Sequence, residues 1–189
     1  MSLVTPPPIE SPRLRVRPVS EADLPALLIV NGEDEVTRFL PYATWQSMAD
    51  AQAWYQRMAK LQSEGSALQL VVVDKACEAA VGSILVFRFD AASARAELGY
   101  ALGRAWWGRG YMSEALSAVI GQAVSTMGLR RLEAQVNPAN ARSGQLLRGL
   151  GFVREGLLRQ RWLDKGEPVD VEMYGLLRDE WRAPPSRHS

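Results

Sequence analysis

Hydrophobic and polar positions along the 189-residue chain alternate between two periods. Leu14-Arg15-Val16-Arg17 is apolar and basic in turn, which predicts a half-exposed strand ending near Val19. From Ser20 the period lengthens, and a helix is expected to about Val30 with Pro25 confined to its first turn. A short helix should cover Asp34–Leu40. Ser47 and Asp50 then form a capping arrangement ahead of a helical stripe of Ala51, Trp54, Tyr55, Met58 and Leu61.

Strand patterns follow at Leu68–Asp74, Ala80–Phe89 and Ala94–Leu102. One broad helix face runs through Met112, Ala115, Leu116, Val119, Ile120, Ala123 and Val124 to Met127, and Gly128 should end it. A strand over Arg131–Asn137 leads to a helix over Asn140–Leu150 that turns Leu146, Leu147 and Leu150 inward. The last segments, Phe152–Trp162 and Pro168–Leu177, read as an antiparallel pair around the turn DKGEP. Hairpin and crossover connections together predict one α/β (α+β) domain with a mixed sheet over residues 13–181, preceded by a stiff, proline-rich arm outside the core at 1–12 and followed by a polar tail at 182–189.

Composition removes several chemistries. With 22 Lys+Arg against 21 Asp+Glu, the net charge of +1 is no footprint for nucleic acid. No apolar run approaches the ~18 residues of a membrane span, and MSLVTPPPIESP lacks the basic and apolar regions of a secretory signal. Cys77 is the only cysteine, so an intramolecular disulfide is impossible and a cytoplasmic location is the simplest expectation. The single histidine, His188, falls in the tail, which leaves no base for a Ser-His or Cys-His nucleophile and no usual zinc ligand set. Catalysis must use carboxylates, hydroxyls, backbone amides or an organic cofactor.

The stretch RAWWGRGYMSE, residues 104–114, offers such a cofactor a place. Two glycines lead from a strand directly into a helix, whose first N–H groups lack internal partners and carry the positive end of the helix dipole. Gly108 and Gly110 keep side chains away from those amides, so a phosphate or pyrophosphate fits there, with Arg109 adding charge. By itself the pattern is equally that of a tight turn; neither the dinucleotide fingerprint nor a Walker sequence is present.

AELGYALGRAWWGRGYMSEAL, NPANARSGQLLRGLGF and DVEMYGLLRDEW occur in order behind PRLRVRPVSEADL and EVTRFLP. Together they resemble the GNAT acyltransferase superfamily, in its RimJ/RimL-like branch, across residues 13–181. The resemblance implies a mixed, mostly antiparallel central sheet flanked by helices, acetyl-CoA as cofactor and transfer of its acetyl group to an amine. It assigns the CoA pyrophosphate to the turn Trp107-Gly108-Arg109-Gly110-Tyr111-Met112 and the pantetheine arm to the backbone of Tyr100-Ala101-Leu102. Asn140 and Ser143 match the family's N-x-x-S positions near the thioester. Ala105 replaces the Gln or Arg often found three residues before the first glycine.

A lysine amine, pKa about 10.4, is almost fully protonated at neutral pH, whereas an N-terminal α-amine near 7.7–8.0 is partly neutral and makes modest demands on a base. Glu97, on the strand entering Gly99-Tyr100, is the first candidate base; otherwise it is a strand charge paired with Arg95 or Arg104. Glu133 is the second. Some relatives place a glutamate where Gln135 stands and a tyrosine where Leu147 stands. Ser143 is therefore the candidate donor to the departing sulfur, or else a serine satisfying its own helix amides.

Trp54, Trp162 and Trp181 read as packing residues; Asp170 either bonds a nearby turn or lines an acceptor pocket, and Arg159 and Arg161 face solvent or an acidic acceptor. The acceptor is a protein N-terminus or a small amine such as a polyamine or aminoglycoside. The alternative class is a non-catalytic acyl-CoA-binding module. The terminal strand pair is compatible with a homodimer, as in many related proteins.

Overall fold

In the computed structural model the described residues are 3, 6–164 and 166–182. His188 lies outside them. The alternating segments form strands β1 (Ile9–Glu10), β2 (Leu14–Pro18), β3 (Leu68–Asp74), β4 (Ala79–Asp90), β5 (Arg95–Leu102), β6 (Arg131–Val136), β7 (Val153–Asp164) and β8 (Glu167–Leu177). They make one eight-stranded sheet in the order β1-β2-β3-β4-β5-β6-β8-β7. Every pair is antiparallel except β5 with β6. The helices are α1 (Leu24–Asn31), α2 (Asp34–Thr37), α3 (Met48–Ser63), α4 (Tyr111–Ser125) and α5 (Ala141–Gly149).

The two sheet faces carry separate cores. On one, Leu116, Ile120 and Leu147 of α4 and α5 pack with Leu70, Ile84, Leu132 and Tyr174. On the other, Leu24 and Leu27 of α1 and Trp54 of α3 pack with Trp45 and with Val71 and Val73 of β3. Asp50 holds the start of α3 by accepting the Ser47 amide at 2.9 Å, as the capping sequence requires. The proline-rich arm differs from expectation. Ile9 and Glu10 pair with Val16 and Arg15, and Leu3 is buried, so residues before 13 extend the sheet and contribute to its core. A two-residue strand is too short to show a period.

One feature of the sheet prepares the site. The parallel β5–β6 register covers only Arg95↔Arg131, Ala96↔Leu132 and Glu97↔Glu133. Beyond Glu97, β5 stays paired with β4 to Leu102, while β6 stays paired with β8 to Val136. The strands part, and the sheet divides into two wings with a cleft between them.

Candidate active site

The glycine turn closes one end of the cleft. Gly108 and Gly110 have φ of +70° and +76°, in the left-handed region that L side chains rarely adopt. Gly110 caps α4, and a Cβ built on Gly108 would meet nothing within 4 Å. The amides at this helix start are thus open to a bulky anion. Glu114 would oppose such a guest from the first helical turn, but its carboxylate is occupied: it accepts from Ser11 Oγ at 2.7 Å and from the Arg13 amide and Nε at 2.9 and 2.7 Å. Burial raises the Glu114 pKa, and the Arg13 and Ser11 hydrogen bonds with the Arg13 charge outweigh it, so the group sits below its ordinary value and its charge is balanced.

The aromatic residues beside the glycines anchor this turn. The Trp106 indole and the Tyr111 hydroxyl both donate to Asp74 Oδ2, at 3.2 and 3.3 Å, tying the turn to the end of β3. Trp107, expected among the pyrophosphate amides, already donates its own amide to the Arg104 carbonyl at 3.1 Å, and its Nε1 donates to the Leu102 carbonyl at 2.7 Å. That carbonyl, expected to serve the pantetheine arm, is therefore already engaged by the chain. Arg109 lies over the Tyr111 ring at 5.2 Å with its side chain exposed beside the turn.

Across the cleft stands the start of α5. Asn140 caps it, with Oδ1 accepting from the Ser143 amide at 3.2 Å. The capping duty considered for Ser143 belongs to Asn140, and the Ser143 hydroxyl instead shares a 2.7 Å hydrogen bond with Tyr100 OH from the opposite wing. Ala96, Leu98 and Tyr100 alternate onto the α4–α5 face of β5, so Tyr100 brings its side chain here as well as its backbone. Burial drives the phenol up to about 12, against the lowering effect of the Ser143 bond, so it keeps its proton at neutral pH. Arg142, over the Trp107 ring at 5.1 Å, is a second contact between the wings.

Glu97 alternates to the other face, at the last paired register before the strands part. It is buried. Its partner is neither Arg95 nor Arg104: Arg88 Nη1 donates to its Oε2 at 2.8 Å, while Arg95 pairs with Glu133 and Arg104 with Glu35. Glu133 is also held by Arg131 at 2.8 Å. Gln135 Nε2 donates to the same Glu97 oxygen at 3.0 Å. An indole can only donate, and Trp162 Nε1 lies 2.7 Å from Gln135 Oε1, which fixes the Gln135 amide with its NH2 toward Glu97. Among the described residues, Glu97 Oε1 receives no hydrogen bond.

These groups border a cavity of about 440 Å³ lined by Arg88, Arg95, Glu97, Glu133, Gln135 and Arg161, among others. Two irregularities build it. The register slips between Phe87 and Asp90 on β4 and between Leu158 and Trp162 on β7. Arg88 and Gln160 there adopt φ of +50° and +49°. Asp170 stabilises the second bulge by accepting the Gln160 amide at 2.8 Å, so its partner is a bulged strand and not the turn considered for it. Trp162, expected in packing, is 40% exposed and orients Gln135. Trp54 is buried and Trp181 packs against the main core.

A sheet parted at its one parallel pair, with a glycine-capped helix at the opening, offers an extended ligand a slot between strands and its phosphates a helix start. The chain belongs to the GNAT acetyltransferase family, whose domain matches residues 13–153. It is 34% identical over 169 residues to the N-acetyltransferase p20 of Bacillus licheniformis, covering 89% of this chain and 95% of that protein. Against the [ribosomal protein uS5]-alanine N-acetyltransferase of Escherichia coli K12 it is 39% identical over 84 residues, 44% of this chain and 43% of that one. The fold matches RimL, the ribosomal L7/L12 alpha-N-protein acetyltransferase solved with coenzyme A, at a TM-score of 0.82 and 23% identity, covering 90% and 98% of the two chains. The protein is an acetyl-CoA-dependent N-acetyltransferase of the GNAT type. None of its helices among the described residues is long and apolar enough to cross a membrane.

Proposed function

We propose that the accepted amine is a protein N-terminal α-amine and that Glu97 takes up its proton, directly or through a water. The observation that carries this reading is the Glu97 carboxylate at the parting of β5 and β6, with both of its hydrogen bonds on Oε2, bordering a cavity of about 440 Å³. Gln135 stands where some relatives carry their base, and it touches Glu97. The carboxylate is thereby supplied from the neighbouring strand. Polyamines and aminoglycosides suit the cavity poorly: three arginines, Arg88, Arg95 and Arg161, border it against two carboxylates, and each carboxylate already pairs with an arginine.

Bound acetyl-CoA supplies a thioester, an acyl group already activated toward an amine. Gly108, Arg109, Gly110, Tyr111 and Met112 would hold its pyrophosphate through their amides, and the Tyr100–Leu102 backbone, with Asn140 beside it, would flank the pantetheine arm. Tyr100 and Ser143, sharing their hydrogen bond at the cleft, hold protons that would stabilise charge on a thiolate leaving there. A hydrogen bond to a charged partner contributes about 1.5–3 kcal/mol. Tyr100→Phe should therefore lower kcat by about 10- to 100-fold, while acetyl-CoA binding, measured by titration calorimetry, changes little.

Thiol release in the presence of acetyl-CoA tests the acceptor, with free-N-terminal peptides, the same peptides N-formylated, spermidine and kanamycin compared. Release with free peptides alone is the expected result. Release with spermidine or kanamycin and with no peptide would overturn it.

A further inference from the structure

We propose that the acceptor carries a carboxylate within a few residues of its reactive amine and that Arg161 receives it. This rests on the protein-amine reading and adds a specificity determinant to it. Arg161 is the unbalanced charge of the cavity. Arg88 is paired with Glu97 at 2.8 Å, Arg95 with Glu133 at 2.9 Å, and Arg131 with both Glu133 and Glu155. Among the described residues, no carboxylate comes within ion-pair distance of Arg161. Its guanidinium lies 5.7 Å from the centre of the Trp162 ring instead. A guanidinium over an aromatic face keeps its planar fork of donors available, and that fork matches a carboxylate better than an ammonium would.

The chain places this cation with respect to the base by a short series of contacts. Leu158 pairs with Val171 and Trp162 with Val169, so Arg159, Gln160 and Arg161 together face Asp170 alone. Asp170 spends its Oδ1 on the Gln160 amide, which holds the bulge. The next residue, Trp162, bonds Gln135, and Gln135 bonds Glu97. Arg161 and Glu97 therefore border one cavity of about 440 Å³ at separate points of its wall. An acceptor whose amine reaches Glu97 extends toward Arg161, where an acidic side chain gains an ion pair and a basic one meets like charge.

Matched hexapeptides with free N-termini, bearing Glu or Gln at their second to fourth positions, test this by kcat/KM for thiol release. The wild type should prefer the Glu peptides by about fivefold, the size expected of an ion pair open to solvent. In Arg161→Ala the ratio should fall to about one, and in Arg161→Glu it should invert. Arg159→Ala, on the same bulge but not bordering the cavity, should keep the wild-type ratio. Equal use of the two peptide sets by the wild type, or an unchanged ratio in Arg161→Ala, would overturn the carboxylate assignment alone. Turnover of neither set, with turnover of a small amine, would overturn the protein-amine reading along with it.

Discussion

Gly110→Trp should eliminate acetyl-CoA binding while leaving a folded domain. A side chain forced to φ +76° costs about 1–2 kcal/mol, which in a domain of this size lowers Tm by about 2–8 °C. That loss is tolerable because a Cβ at this position meets only Arg13 Nη2, at 3.5 Å, the end of a long and adjustable side chain. The consequence for the ligand is much larger. Gly110 is the residue that caps α4, and an indole at the helix start should crowd the amides that a pyrophosphate needs. A ligand present at a hundred times its Kd stabilises its protein by about 2.7 kcal/mol, so the wild type should gain about 5–10 °C in Tm on saturation with acetyl-CoA. The variant should gain none, with CoA behaving as acetyl-CoA does and ATP and NADH shifting neither protein. A variant that melts cooperatively and still shows the full shift would remove the pyrophosphate from this turn.

Most of the chain's architecture was legible because its two periods are strong. The apolar face of α4 runs from Met112 through Ala123, and the alternation of β5 already assigns Tyr100 and Glu97 to opposite faces. That alternation is enough to send the Tyr100 hydroxyl toward α5, a step that requires only counting by two from Ala96. The acceptor side was less legible for a physical reason. Arg88 and Trp162 reach Glu97 and Gln135 because two strands are bulged, and a bulge is where the two-residue period breaks. Neither bulge is marked by glycine; Arg88 and Gln160 themselves adopt positive φ, and the second is held by Asp170 from the neighbouring strand. Strand order was hidden for a similar reason. The hairpin of β7 and β8 can add to β6 through either strand, and the register shows β8 inside and β7 at the edge.

Glu97→Gln should reduce kcat by about 10³-fold, within the range of a lost proton acceptor, with acetyl-CoA binding unchanged. The substitution retains the shape of the side chain and its ability to accept from Arg88 and Gln135, and the Arg88 side chain is 41% exposed, so water can take over part of its pairing. The structural cost should remain about 1–3 kcal/mol, below that of breaking a pair buried at both ends. The deficit should depend on pH in a direction set by the acceptor. An α-amine with pKa of about 7.7–8.0 is mostly protonated at pH 6.5 and mostly neutral at pH 9. A carboxylate that removes the proton matters most at the lower pH, so the ratio of wild-type to variant kcat/KM should narrow as pH rises through that pKa. A merely structural Glu97 would give a different pattern, in which turnover follows the small loss of stability and the ratio is flat with pH. If the ratio stays within about twofold of one throughout, an effect of less than 0.5 kcal/mol on the barrier, the buried carboxylate serves only to hold Arg88 and Gln135 in place, and the proton leaves the amine by water alone.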